Sequence, residues 1–253
     1  MRYTAIAETD VGIRKSTNQD SVLIRHATFD GGEVLMAIVC DGMGGLAKGE
    51  LASATVIRAF ADWFEKELPL QLEKPDLNVI GAKWALMLKN LNGRIGEYGK
   101  SIHVDLGTTF TGALFLNGSY VAVHVGDTRL YHLSNALTQL TEDQTFIARE
   151  IRKGTMTPEQ AKTDKRRNLL LQCVGASPRV EPQVLTGAAE AGAYMICSDG
   201  FRHVISEQEI LGALSPARLT DADAMHANVR YLIELVKSRG ERDNISALLI
   251  KAE

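Results

Sequence analysis

TTFTGALFLNGSYVAVHV, residues 108–125, holds two apolar runs, 108–116 and 120–125, that meet at Asn117-Gly118. Asn-Gly accepts the positive φ angles of a tight turn whose twist matches its flanking strands, so this segment predicts an antiparallel hairpin. Further along, short strands over 129–133 and 137–140 are expected to continue the meander. Upstream, residues 3–8, 21–26 and 33–40 read as strands, the last nearly all apolar. Two helical patterns lie between. Ile57, Phe60, Ala61, Phe64 and Leu68 share one face of the first. Val79, Trp84, Leu88 and Leu91 form a looser stripe over about 76–103. Residues 184–187 and 194–197 read as strands, Met225, Val229, Leu232, Ile233 and Val236 mark an amphipathic helix, and 245–250 closes as a strand. Strands in clusters with helices between them indicate α+β, with antiparallel sheets inside and helices outside. The expectation is one domain over residues 1–253.

The polar, basic stretch 149–167 breaks this pattern without ending it, since strand signals resume afterwards. It is therefore an excursion from the core rather than a linker. Its Lys165-Arg166-Arg167 run reads as a solvated face, with recognition of acidic phosphoprotein segments as the functional alternative.

Composition sets the outer bounds. Among 253 residues, 45% are apolar and 23% charged, and the net charge is −3. That balance suits a globular protein with a sizeable core and supplies no electrostatic footprint for nucleic acid or an anionic membrane. The apolar runs are too short to span a bilayer, and the first residues lack the apolar stretch of a secretory signal. Cys40, Cys173 and Cys197 have no metal-ligand spacing and read as core residues, which fits a reducing, cytoplasmic setting.

Chemistry is concentrated where aspartates meet strands. Asp41 ends the run Met-Ala-Ile-Val-Cys, Asp199 follows Tyr-Met-Ile-Cys-Ser, and Asp127 follows Val-Ala-Val-His-Val-Gly. Asp243 and Asp20 each stand just before a strand. Any one of these Asp-Gly or strand-end acids is ordinary turn chemistry. Several at equivalent strand ends imply a shared cluster, and clustered carboxylates repel unless cations neutralise them. Oxygen-only donors select Mg²⁺ or Mn²⁺, and no zinc-type histidine or cysteine spacing competes. Position alone thus leads to a di-metal hydrolase.

At these residues the sequence resembles the PP2C-type (PPM) metal-dependent serine/threonine phosphatases in their bacterial form. The matching pieces, in the family's order, are Thr9-Asp10-Val11-Gly12, Asn18-Gln19-Asp20, Asp41-Gly42-Met43-Gly44-Gly45, Gly107-Thr108-Thr109, Val125-Gly126-Asp127-Thr128-Arg129, Leu140-Thr141-Glu142-Asp143-Gln144, Ser198-Asp199-Gly200 and Arg242-Asp243-Asn244. The resemblance implies a four-layer α-β-β-α sandwich with a flap over about 144–178. It implies two Mn²⁺ or Mg²⁺ ions, with Asp41 bridging both, the Gly42 carbonyl an added ligand, and Asp199 and Asp243 holding one of them. Asp20 is expected to act through metal-bound water, Asp127 to take a third, weaker metal, and Asn244 to orient Asp243 or bond nearby water. Asp41, Asp199 and Asp243 are accordingly the catalytic set. A hydroxide bridging the metals would attack phosphoserine or phosphothreonine in proteins, with no phosphoenzyme.

Three positions depart from the family pattern. The phosphate-binding arginine is replaced by Lys15, with Arg14 beside it, and lysine lacks the bidentate fork. Met43 stands where animal relatives carry histidine, and Gln19 replaces a frequent glutamate. His103, His124, His132 and His203 show no ligand spacing and are assigned to packing or surface roles. The expected partners are phosphorylated serine/threonine proteins, kinase substrates or a kinase itself, met by a monomer. Two alternatives remain: a phosphatase-fold module that binds phosphoproteins without turnover, and a hydrolase of small phosphoesters.

Overall fold

The computed structural model describes residues 1–44 and 48–253. The chain opens with β1 (Tyr3–Asp10), β2 (Ser21–Phe29), β3 (Gly32–Cys40) and the short β4 (Gly42–Gly44). Helices α1 (Gly49–Lys66), α2 (Leu68–Gln71) and α3 (Leu77–Ser101) follow, then β5 (Leu106–Thr108), β6 (Phe110–Leu116), β7 (Ser119–Val125), β8 (Arg129–Leu133) and β9 (Leu137–Gln139). The basic excursion carries α4 (Phe146–Arg152) and α5 (Pro158–Thr163). The chain ends with β10 (Gln183–Ala188), β11 (Gly192–Cys197), α6 (Asp199–Arg202), α7 (Glu207–Leu214), α8 (Ala222–Ser238) and β12 (Ile245–Ala252).

The hairpin forms as its turn residues require. Leu116 pairs with Ser119, and Asn117 and Gly118 take φ angles of 50° and 75°. From it the first sheet grows in the order β10-β7-β6-β3-β2, and the second runs β1-β12-β11-β8-β9. All the pairings within both are antiparallel. The meander expected from residues 129–140 does not continue the hairpin's sheet. After Val125 the chain crosses at Gly126-Asp127 and β8 joins the other sheet beside β11. Local patterning cannot reveal that change, because both sheets offer the same alternation to a short strand.

The four layers follow from three apolar clusters. Phe60, Trp63 and Trp84 pack α1 and α3 on the outer face of the first sheet. Met225, Val229, Leu232 and Val236 seal α8 on the second. Between the sheets lie Leu35, Ala37, Val39, Phe115, Tyr194 and Ile250. β3 therefore buries both faces, which explains its unbroken apolar run.

Two helix stripes are rotated from their expected faces. Val79 is 58% exposed, and Ile80 takes the buried place beside Trp84 and Leu88. In α1 the deep positions are Ala52, Val56, Phe60 and Trp63, while Ile57 and Ala61 lie at the edge and Leu68 begins a separate turn. A tryptophan buries more area than an isoleucine, and Trp63 and Trp84, edge to face at 5.3 Å, set the rotation of both helices.

Candidate functional site

The site is assembled at one end of the paired sheets. Asp41 follows β3, and its peptide is clamped on both sides. Its N–H donates to Thr109 Oγ1 at 2.9 Å, and its carbonyl accepts from the Thr109 N–H at 2.8 Å and Thr108 Oγ1 at 2.9 Å. The Gly107-Thr108-Thr109 motif thus holds the acid that β3 delivers. Gly42 is required here by close approach: a Cβ would sit 2.4 Å from the Gln19 carbonyl oxygen. Gly45 lies outside the described residues, and Met43 is exposed.

Asp199 enters from the opposite sheet, at the first position of α6. Ser198 and Ser246 lock the two strand ends together through N–H to O contacts of 3.0 and 2.9 Å. Ser246 Oγ then donates to Asp20 Oδ2 at 2.6 Å. The remaining oxygens, Asp20 Oδ1 and Asp199 Oδ1, are buried without a hydrogen-bond partner. Such orphaned buried carboxylate oxygens are costly unless a cation or donor meets them.

Asp243 is less enclosed. Its Oδ1 accepts from the Asn244 N–H at 2.9 Å and lies 3.0 Å from Lys15 Nζ. Burial opposes the lysine's charge, but hydrogen bonding and attraction to Asp243, with Asp41 and Asp199 behind it, outweigh this and raise its pKa. Asn244 thus meets Asp243 through its main chain, and its side chain has a further part. Its side chain does not reach the Asp243 carboxylate; it accepts from the Gln19 N–H at 2.9 Å and donates to the Val11 and Thr17 carbonyls. It therefore pins the loop that carries Lys15. Arg14, on that same loop, is exposed.

The five acids act on one another electrostatically. Burial first, then the charges of its neighbours, raises the pKa of Asp41; burial likewise lifts Asp20 to about 7 and Asp127 to about 7. Asp127 also faces Arg202, whose Nη2 is 3.7 Å from Oδ2 and donates to its carbonyl at 3.0 Å. Among the described residues no group of three histidine, cysteine, aspartate or glutamate side chains is drawn together into a finished metal cage. Even so, the donor set fits a hard divalent cation: all its atoms are oxygens, two are orphaned, and their mutual repulsion calls for positive charge.

Asp20 and Asp127 hold protons in the folded chain up to about pH 7, whereas unfolded aspartate loses them near pH 4. The folded state then binds more protons, so stability falls as pH rises through that interval. In EDTA the melting temperature is expected to drop between about pH 4 and pH 7. Added Mn²⁺ should cancel that drop, and a flat EDTA profile would refute the acid cluster.

Several contributors escaped the sequence reading. His203 lies 3.3 Å from Asp199 Oδ2 and 3.3 Å from Glu241 Oε2, and Glu241 Oε1 accepts from the Asp243 N–H at 3.0 Å. The available signal was spacing: Arg202 and His203 stand three and four residues after Asp199, on the same side of a helical turn. His124 is buried, with Nδ1 2.8 Å from Thr111 Oγ1, and burial lowers its pKa to about 4, as befits a packing residue. A cleft of 990 Å³ opens beside Lys15, Asp127 and Asp243, and its far wall includes Ile147, Ile151 and Arg167 of the excursion.

Proteins similar to this chain in sequence and fold are serine/threonine phosphatases. A family model described as protein phosphatase 2C matches residues 13–249. The serine/threonine protein phosphatase PstP of Mycobacterium tuberculosis is 34% identical over 254 residues, covering 98% of this chain and 44% of PstP. The chain thus spans less than half the length of that relative. The S. agalactiae serine/threonine phosphatase structure superposes with a TM-score of 0.86 at 27% identity, covering 100% of both chains. A structure of the PstP catalytic domain in complex with two manganese ions gives 0.76 at 30% identity, covering 98% of this chain and 97% of that one.

Proposed function

The chain belongs to the protein phosphatase 2C family, and from that membership we propose that it is a metal-dependent phosphatase of phosphoserine and phosphothreonine in proteins. The observation that carries this reading is the pair of buried, unpartnered oxygens, Asp20 Oδ1 and Asp199 Oδ1, among acids that repel one another. Asp41, the Gly42 carbonyl, Asp199 and Asp243 would hold two Mn²⁺ or Mg²⁺ ions, with Asp20 behind them. A third, weaker ion is assigned to Asp127, where Arg202 competes for the same carboxylate. When bound, the metals supply a water of lowered pKa and neutralise charge gathering on the phosphoryl oxygens.

The chain's own residues position and exclude. Thr108 and Thr109 fix the Asp41 peptide, and Asn244 fixes the loop that presents Lys15. Lys15 is half-exposed at the cleft edge, so its ammonium can meet an incoming phosphoryl group as a point charge. Burial raises the pKa of all three cysteines, Cys197 to about 12, which supports water rather than a thiolate as nucleophile. Their burial as free thiols also supports a cytoplasmic setting, where the enzyme would act as a monomer opposing a serine/threonine kinase.

The test is Mn²⁺-dependent release of phosphate from phosphothreonine peptides, p-nitrophenyl phosphate and small phosphorylated metabolites in parallel. Peptides should be turned over fastest. No turnover on any substrate would favour the silent binding module, and faster metabolite hydrolysis would favour the small-ester reading. Lys15→Ala is expected to raise KM for the peptide about fivefold, the effect of one solvent-exposed charge contact, with a smaller change in kcat. Unchanged KM and kcat would make Lys15 a surface charge only.

A further inference from the structure

Charge in the 990 Å³ cleft does not balance. Three of the four acids in its lining already face a cation, Asp127 with Arg202 at 3.7 Å, Asp143 with Arg129 at 2.7 Å and Asp243 with Lys15 at 3.0 Å, and the fourth, Glu241, has the His203 ring at 3.3 Å. Three further cations in the lining, Lys162, Arg167 and Arg242, are exposed and make no ion pair among the described residues. Most of the other cations in the excursion behave differently, although Lys165 is likewise exposed and makes no ion pair among the described residues. Arg149 and Lys153 pair with Glu150, Arg152 with Glu142, and Arg166 with Asp164. Arg166 also stacks its guanidinium 4.1 Å over the Phe146 ring, so of the Lys165-Arg166-Arg167 run only Arg167 is turned to the cleft.

We propose that Lys162, Arg167 and Arg242 are specificity residues that bind a second anionic group on the substrate, close in sequence to the phosphorylated residue. The inference rests on the phosphatase reading above and names the class of protein site that it would prefer. The phosphoryl group occupies the end of the cleft beside Lys15 and Asp243. The surplus positive charge then lies alongside the flanking residues, where Asp, Glu or a second phosphorylated residue would be attracted and Lys or Arg repelled. Ile147 and Ile151 in the same lining add apolar surface for a neutral residue of the peptide.

Four phosphothreonine peptides decide the matter, with flanks that are acidic, doubly phosphorylated, neutral or lysine-rich. Affinity is read by fluorescence anisotropy in EDTA, where no turnover occurs, and kcat/KM is read with Mn²⁺. An anionic flank is expected to improve both by about tenfold over the neutral peptide, as the sum of several exposed attractions, and the gain should shrink in 0.5 M salt. Whichever anionic peptide gains more identifies the source of the charge. Arg167→Glu and Lys162→Glu, made separately, should invert the order in favour of the lysine-rich peptide. Affinities within twofold across all four peptides would overturn the inference, as would an anionic preference untouched by both reversals. If no peptide is hydrolysed while the affinity order holds, the phosphatase reading fails and the assignment of these three residues stands.

Discussion

Asp199→Asn is expected to lower kcat/KM for a phosphothreonine peptide by about 10³-fold or more. The residue is placed with little freedom: Ser198 beside it is tied to Ser246, and Gly200 beyond it lies so close to the Asn244 carbonyl that a Cβ would approach to 2.2 Å. One carboxylate oxygen faces His203 and the other is buried without a partner. Asparagine preserves the shape and removes the charge. A metal site supplies several kcal/mol of transition-state stabilisation, and each 1.36 kcal/mol is a factor of ten, hence the expected loss. Removing a charge that raises the pKa of Asp41, Asp20 and Asp127 also relieves repulsion. The variant without added metal should therefore melt no lower than the parent in EDTA, and calorimetry should show weakened Mn²⁺ binding. Full activity, or a collapse in stability with intact Mn²⁺ affinity, would show that Asp199 is structural.

Arg129→Met should cost about 3–5 kcal/mol of stability, the price of leaving one partner of a buried ion pair alone. Arg129 donates from Nε and Nη2 to the two oxygens of Asp143 at 2.7 Å each, and from Nη1 to the Tyr131 hydroxyl at 2.8 Å. Both side chains are mostly covered, and the other cation near Asp143, Arg202, is 3.8 Å away. For a chain of this size the loss corresponds to a melting temperature lower by about 6–20 °C. Replacing both partners with apolar residues should recover much of it, because no uncompensated charge is then buried. The pH dependence carries the same signature. Burial would raise the Asp143 pKa, but the Arg129 hydrogen bonds and charge lower it. The stabilisation is thus complete above the unfolded aspartate value and is lost as pH falls through the lowered one. In Arg129→Met that acid-side loss should shrink, since only the weaker attraction of Arg202 and His124 then opposes burial. A variant as stable as the parent at pH 7 would show the pair to be energetically idle.

Much of the fold could be read locally. Asn117-Gly118 announced its hairpin because only a few residues accept that turn, and the α8 stripe of Met225, Val229, Leu232, Ile233 and Val236 is buried residue for residue. The misses share one cause. Val79 against Ile80, and β8 in one sheet rather than the other, are choices between faces that look equivalent in sequence and differ only in what packs against them. Cooperation among charged residues was equally hidden. Beyond the local spacing from Asp199, Arg202 and His203 reach Asp127 and Glu241, residues up to 75 positions distant, and no spacing rule spans such a gap.

By itself the sequence determined that aspartates would stand at the ends of buried strands, because apolar runs must end where the chain meets polar surroundings. Through motif resemblance it also singled out Asp41, Asp199 and Asp243. Only the tertiary structure decided that the two sheets bring those ends together, that Lys15 faces Asp243, and that the Asn244 side chain holds the Lys15 loop while its N–H meets the Asp243 carboxylate. Strand ends are a local consequence of where hydrophobic runs stop. Which ends meet depends on long-range pairing, and the charges on them acquire their pKa values only once burial removes the water between them.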